Sequence, residues 1–158
     1  MKSKEEIHKE ALSFLLQQNV GSLATAGLDG TPAVSPVYFA VLPDFSIYFS
    51  TSHHTQKFKN LTLNPKVAFS AGHGPGYEVI SIQGNAQMLN EADRKEAQEL
   101  ITARVRNSMS SWPIKTVKTL EEGGIAVFKI TPQSVTFLTL SSEDQLASSD
   151  KYFYQILP

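Results

Sequence analysis

Short strand-like segments joined by brief turns dominate the sequence between residues 20 and 89. Apolar and polar residues alternate over 45–50, which is the period of a half-buried strand. Gly27-Leu28-Asp29-Gly30 and Leu42-Pro43-Asp44 have the composition of tight turns, so the flanking strands should pair as hairpins. Connections this short disfavour a parallel sheet, whose crossovers need roughly a dozen residues or more. An antiparallel barrel or sandwich is therefore the expected fold class.

Helical periodicity appears in three places around these strands. A capping box at Ser3 predicts a first helix to about Gln18, a short helix is expected between Thr51 and Leu63, and a third should follow Asn90. We expect the third helix to bury Ala97, Leu100, Ile101 and Val105. The predicted strands cover residues 20–26, 31–41, 45–50, 66–71, 77–89, 125–131 and 134–140, with a bulge or barrel corner at Gly84 and a loop over 106–124 that contains Trp112.

The composition describes one ordinary globular unit. A length of 158 residues predicts a single domain, which we place at 1–140, followed by a polar tail at 141–158 that could dock on a partner subunit. The net charge of −1 disfavours nucleic-acid binding, and the absence of cysteine excludes thiolate chemistry. A charged beginning and the lack of long apolar runs predict a cytoplasmic protein with no membrane partner.

One segment carries a pattern suited to binding a phosphate. Hydroxyl side chains are concentrated at Ser50, Thr51 and Thr55, where a strand ends, and Lys57 follows in the first turn of the expected short helix. A lysine opposes the helix dipole at that end, by roughly 0.3–1 kcal/mol, unless an anion compensates. Free helix amides, hydroxyls and an ammonium are the donors that a phosphate dianion requires.

The order of these segments resembles the pyridoxamine 5'-phosphate oxidase-like split barrels, which bind flavin mononucleotide (FMN). The likeness begins with Leu23-Ala24-Thr25, continues through the turn at Asp29 and the strand around Pro36, and includes Thr51 and Lys57 six residues apart. The remaining matching pieces are Asn60-Leu61, Asn64-Pro65-Lys66-Val67-Ala68, Ile82-Gln83-Gly84-Asn85-Ala86, and Phe128 to Pro132 with Val135 to Leu138, which are similar to the family's final hairpin.

The resemblance implies a mainly β protein with flanking helices: an antiparallel split β-barrel of Greek-key type that forms a homodimer. It also implies an FMN lying across a groove at the subunit interface. Its ring would lie along the second strand, and its phosphate would be held where the third strand ends. By position, the ring contacts fall on Ser35, Pro36 and Val37, and the phosphate contacts on Ser50, Thr51, Thr55, Gln56 and Lys57.

The sequence also departs from the oxidases of that family. Ser35 and Gln56 stand where those enzymes usually place arginines, and the chain lacks their C-terminal tryptophan and arginine-histidine segment. We therefore expect an FMN-dependent oxidoreductase that acts on a small-molecule redox substrate other than pyridoxamine phosphate. The alternative is a split barrel that binds or carries flavin, deazaflavin or heme without turnover, or one that serves only as a scaffold.

No set of side chains suggests acid–base catalysis or a metal site. His53 and His54 are adjacent and would diverge on a strand or a helix, which makes them a poor pair of ligands. Asp29, Asp44 and Asp93 occupy turn or cap positions. We predict no catalytic side chain, because a flavin would supply the chemistry itself. His8 and His73 stay open as heme ligands in the alternative function.

Overall fold

The computed structural model describes residues 2–72, 78–108, 124–139 and 153–157. His73 and Trp112 lie outside them, as does the expected loop except at its two ends. The elements in chain order are α1 Lys4–Gln17, β1 Val20–Ala26, β2 Pro32–Val41, β3 Ile47–Ser52, α2 Gln56–Leu61, β4 Lys66–Ala71, β5 Glu78–Met88, α3 Glu91–Ser108, β6 Ile125–Thr139 and β7 Phe153–Leu157.

The strands form one antiparallel sheet in the order β3-β2-β1-β4-β5-β6-β7. A further pairing of β3 with β6 closes β1 to β6 into a barrel. Because β4 returns to lie beside β1 after the β1-β2-β3 meander, the connection has Greek-key form. The mainly β split barrel with flanking helices is therefore confirmed.

The two strands expected at the end of the domain are in fact one strand, and the prediction of a final hairpin was wrong. β6 runs without a turn, and it bends opposite Gly84, where the pairing skips Gln133 and leaves a bulge. A Cβ atom on Gly84 would lie 2.2 Å from the Thr131 carbonyl oxygen, so only glycine allows this close approach. The interpretation of Gly84 as a bulge position is confirmed, and Pro132 sits at a bend rather than in a turn.

β6 pairs with β5 on both sides of this bend, but on its other edge it changes partners. Its first half, from Ile125 to Ile130, pairs with β3, and its second half, from Val135 to Leu138, pairs with β7. Residues 153–157 of the expected tail therefore pair with the barrel of their own chain. Side chains of Tyr154, Ile156 and Leu157 pack against the barrel core. β7 also lies beside α1, and the two elements line a groove of about 600 Å³.

The interior of the barrel holds the main core, which α1 covers with its buried Ile7, Ala11 and Leu15. Phe45 is fully buried in this core, but it does not belong to β3 as the alternation suggested. It sits in the preceding turn at φ 62°, where its amide donates to the Leu42 carbonyl. Its ring meets the edge of the His8 ring at 4.9 Å between centroids.

A second cluster lies outside the barrel, between α3 and the sheet. Ala97, Ile101 and Val105 are buried there against Ala40 and Val127. Asn90 caps the helix as expected, since its side-chain oxygen accepts from the Asp93 amide at 3.0 Å. Leu100 was expected on this buried face, but it is 37% exposed, because it lies at the flank of the stripe formed by Ala97, Ile101 and Val105. None of the helices in the described ranges is long and apolar enough to cross a membrane.

Candidate functional site

The hydroxyls of Thr51 and Thr55 meet where β3 gives way to α2. Their oxygen atoms are 2.8 Å apart, and Thr51 is buried. Thr55 is the N-cap of α2, since its hydroxyl accepts from the Phe58 amide at 3.2 Å and donates to the Ser52 carbonyl at 2.9 Å. The structure therefore brings this predicted pair together, but their hydrogen bonds already hold the turn. A phosphate would have to draw hydroxyl protons away from these partners.

Lys57 reaches from the first turn of α2 to the second strand. Its ammonium donates to the Pro36 carbonyl oxygen at 3.3 Å. The side chain is half-buried, and this burial lowers the pKa of Lys57 because the charged form loses hydration. No carboxylate within the described residues forms an ion pair with it. Lys57 is thus a partly desolvated cation whose recorded partner is a neutral carbonyl.

Gln56 points toward a buried polar network that the sequence analysis missed. Its side-chain amide donates to the Asn60 oxygen at 2.9 Å, and the Asn60 amide donates to the Thr25 hydroxyl at 3.0 Å. Asn60 and Thr25 are both buried. The network ties α2 to β1 and fixes the helix beside the barrel. The spacing of Gln56 and Asn60, four residues apart on one helix face, was the available signal.

The second strand has an open half and a closed half, which we define by its partners. In the closed half, residues 39–41, β2 pairs with β3, and Phe39 and Ala40 are buried; in the open half, residues 32–38, the strand pairs with β1 and with no other described strand. Ser35, Pro36 and Val37 all lie in the open half. Pro36 suits an edge, because it has no N–H to donate to a second neighbour. Val37 turns its side chain into the core and leaves only its backbone for a ligand.

The structure does not bring Ser50 to the other hydroxyls. Buried side chains alternate along β3, with Phe49 and Thr51 inward and Ser50 between them on the opposite face. Ser50 pairs across the ladder with Val127. Strand alternation therefore separates the Ser50 side chain from that of Thr51, and its predicted cofactor contact stays a prediction.

The two adjacent histidines, His53 and His54, precede the N-cap of α2 and are exposed. The His53 ring packs on Phe58 at 4.7 Å between centroids, and the His54 backbone amide donates to the Ser52 hydroxyl at 3.3 Å. Among the described residues, no group of three histidine, aspartate or glutamate side chains is placed to hold a metal ion. Asp29 accepts from the Thr31 amide and hydroxyl, which lowers the pKa of its carboxyl group and assigns it to the turn.

Comparison with solved structures supports the same architecture. The chain superimposes on General Stress Protein 26 from Bacillus anthracis with a TM-score of 0.60 at 22% identity, covering 84% of this chain and 98% of that one. It superimposes on a heme binding protein from Mycobacterium smegmatis with a TM-score of 0.68 at 18% identity, covering 87% of this chain and 55% of that one. At these identities the likeness establishes a shared fold.

Sequence comparison gives the family. A curated relative, the pyridoxine/pyridoxamine 5'-phosphate oxidase of Thermosynechococcus vestitus, is 30% identical over 79 residues. The match covers 50% of this chain and 37% of the relative, so the chain spans well under half the length of that enzyme. The family model for pyridoxamine 5'-phosphate oxidase matches residues 7–139, which include every element from α1 to β6 apart from the first few residues of α1. The chain therefore belongs to the pyridoxamine 5'-phosphate oxidase-like family.

Proposed function

We propose that the chain binds FMN and acts as an FMN-dependent oxidoreductase. The observation that carries this proposal is the 3.3 Å contact between the Lys57 ammonium and the Pro36 carbonyl. It joins the two parts that a flavin nucleotide needs, an anion contact at the start of α2 and a backbone edge on β2. These parts are 21 positions apart in the chain, and the fold places them side by side.

The charge of Lys57 favours an anionic ligand. Burial of an ammonium costs hydration energy, and an uncharged carbonyl repays less of that cost than an anion does. A phosphate near Lys57 would restore a full charge partner. Thr51 and Thr55 lie within the same turn and would add hydroxyl contacts once their present hydrogen bonds rearrange.

The open half of β2 favours a flat ligand with polar edges. Its backbone has one strand neighbour among the described residues, so peptide groups on the other side are available to a ring. Val34 is 72% exposed and Pro36 is exposed, which adds apolar surface near this edge. An isoalloxazine ring presents imide groups on one side and an apolar body on the other, and this edge matches both.

Bound FMN would supply hydride or electron transfer to a small-molecule redox substrate. The residues of the chain would orient the ring, hold the phosphate and keep water from one face. We further propose a homodimer, in which a second copy covers the exposed side of the open half and completes the groove. The proposed location is the cytoplasm.

The first experiment is the absorption spectrum of freshly purified protein, followed by titration with FMN. We expect the long-wavelength flavin band, and we expect Lys57→Ala to weaken FMN binding by about 1.5–3 kcal/mol, because it removes a charge-assisted hydrogen bond. Lys59→Ala is the matched control, since Lys59 is an exposed lysine on the same short helix. Equal affinity in the wild type and Lys57→Ala would reject the phosphate site.

The second candidate is a barrel that binds flavin, deazaflavin or heme without turnover. The fold shared with the heme binding protein from Mycobacterium smegmatis supports it. His8 lines the groove between α1 and β7 and offers an imidazole there. A Soret band after addition of hemin, lost in His8→Ala, would favour this candidate. A flavin band with no turnover of reduced flavin by any acceptor would favour a carrier.

A further inference from the structure

Among the described residues, Lys57 has one hydrogen-bond acceptor, and it would meet a second one in the complex. Its ammonium donates to the Pro36 carbonyl at 3.3 Å, near the long limit for such a bond. The inference below rests on the proposed function, which places a phosphate dianion at the same ammonium. Hydrogen bonds between two ionised groups are shorter and stronger than those to a neutral carbonyl. The dianion should therefore take the ammonium from Pro36.

The Pro36 carbonyl is itself a potential ligand contact. It lies in the open half of β2, and proline lacks an N–H, so this position can offer a ligand an acceptor only. A carbonyl oxygen has two lone pairs, but while Lys57 donates to one of them its positive charge repels a second N–H donor. Once Lys57 leaves, the carbonyl on the strand edge becomes free to accept from a ring.

We propose that Lys57 exchanges partners when ligand binds, from the Pro36 carbonyl to the ligand's phosphate, and that this exchange selects phosphorylated flavin over riboflavin. Riboflavin carries the same ring but no group that can draw Lys57 away. Riboflavin must therefore bind while the hydrogen bond between Lys57 and Pro36 is still present, or break that bond without giving the ammonium a new partner. FMN breaks the bond and replaces it with a stronger one, so phosphate and ring binding are positively coupled through one side chain.

This exchange predicts opposite effects of one substitution on two ligands. Lys57→Met keeps much of the length and apolar stem of the side chain but removes the ammonium. We expect the Kd for FMN to rise by about 10- to 100-fold, since a charge-assisted contact is lost. We expect the Kd for riboflavin to fall by about 2- to 5-fold, because the carbonyl no longer has to be released from a hydrogen bond.

Both dissociation constants are measured by quenching of flavin fluorescence on the wild type, Lys57→Met and the control Lys59→Met. The control should leave both values unchanged. If Lys57→Met weakens FMN and leaves riboflavin unchanged, Lys57 is a phosphate contact alone and the exchange is wrong. If both ligands weaken, Lys57 supports the site structurally and the exchange is again wrong. If the wild type binds neither ligand, the proposed function fails first.

A measurement on the wild type alone gives an independent test. Inorganic phosphate, added at constant ionic strength against a chloride reference, should lower the Kd for riboflavin, since it draws Lys57 from Pro36 without supplying a ring. An unchanged or raised Kd for riboflavin would overturn the exchange, even if Lys57→Met failed to fold.

Discussion

The two halves of β2 share one strand and differ in almost everything else. In the closed half, Phe39 is fully buried and Ala40 is 3% exposed. In the open half, Val34 is 72% exposed and the backbone pairs with β1 instead of β3. The difference arises because β3 pairs with β2 only over residues 39–41, and the chain then turns at Ser52 into α2.

This contrast separates the part of the barrel that stabilises the fold from the part that offers a binding surface. The closed half borders the aromatic core inside the barrel, where Phe49 stacks on Phe128 at 5.4 Å between centroids. The open end keeps peptide groups and apolar side chains accessible beside one half-buried ammonium. Substitutions in the first part should therefore lower the free energy of unfolding, whereas substitutions in the second part should change ligand affinity.

The largest effect is expected in the core beside the closed half, where Phe49 of β3 pairs with Phe39. Phe49→Ala should lower the free energy of unfolding by about 3–5 kcal/mol, because it removes a fully buried ring and leaves a cavity. Val34→Ala, in the open half, should change it by no more than about 0.5 kcal/mol. Chemical denaturation of both variants checks the pair. Equal losses would mean that the open half is covered in solution, as a dimer would cover it.

A smaller loss of stability is expected at the bend between β5 and β6. Gly84→Ala should cost about 1–3 kcal/mol, because the added methyl group meets the Thr131 carbonyl oxygen, and a backbone atom cannot move aside as a flexible side chain can. Thermal unfolding measures the loss. Gly30→Ala, where a Cβ atom meets nothing within 4 Å but φ is 83°, separates crowding from backbone strain. A stable Gly84→Ala protein would show that the bulge is not fixed by this contact.

The N-cap of α2 should contribute less to the stability of the protein than the bend at Gly84 does. Thr55→Ala removes the acceptor of the Phe58 amide and should destabilise the protein by about 0.5–2 kcal/mol. Thr55→Ser retains the hydroxyl and should recover most of this loss. If flavin affinity fell while stability did not, Thr55 would contact the ligand directly rather than only starting the helix.

The smallest expected effect is on the pH dependence of FMN affinity. Burial lowers the pKa of Lys57 in the free protein below its ordinary value of 10.5, whereas a bound phosphate would raise it. Binding then takes up a proton between these two pKa values, so affinity is fully present below the free-protein pKa and declines as pH rises above it.

The control for this profile is Lys57→Met, because alkaline deprotonation of the flavin ring is common to both proteins. Only the difference between the two profiles reports on the lysine. Affinities titrated from pH 7.5 upward provide the measurement. Parallel profiles would show that Lys57 does not face the phosphate.

Local patterns were sufficient to predict an antiparallel barrel or sandwich, the family resemblance narrowed this to a split barrel, and the candidate site stays a prediction. Alternation and turn composition set the strands up to β5, and the Ser3 and Asn90 caps marked where α1 and α3 begin. Lys57 was singled out because a cation near the start of a helix is unfavourable on its own. All of these signals depend on residues a few positions apart.

The errors concern features that depend on distant residues. Pro132 and nearby polar residues suggested a turn in β6, but the close approach of Gly84 allows a bend instead, and no local pattern reports it. Phe45 continues the alternation of β3 in sequence, although its backbone adopts a turn conformation. Asn60 was noted only as part of a family-like segment, and the packing of α2 on β1 is needed to reveal its buried hydrogen bond to Thr25.

The contact between α1 and β7 has a consequence for how the protein is made. Ile7, Ala11 and Leu15 leave the ribosome before the described strands that cover them, and the groove that Ile7 lines is completed only when β7 emerges. The apolar stripe of α1 is thus exposed throughout translation of the barrel, when chains are prone to aggregate. A nascent chain of this protein should therefore engage chaperones through its first helix and release them once residues 153–157 have joined the sheet.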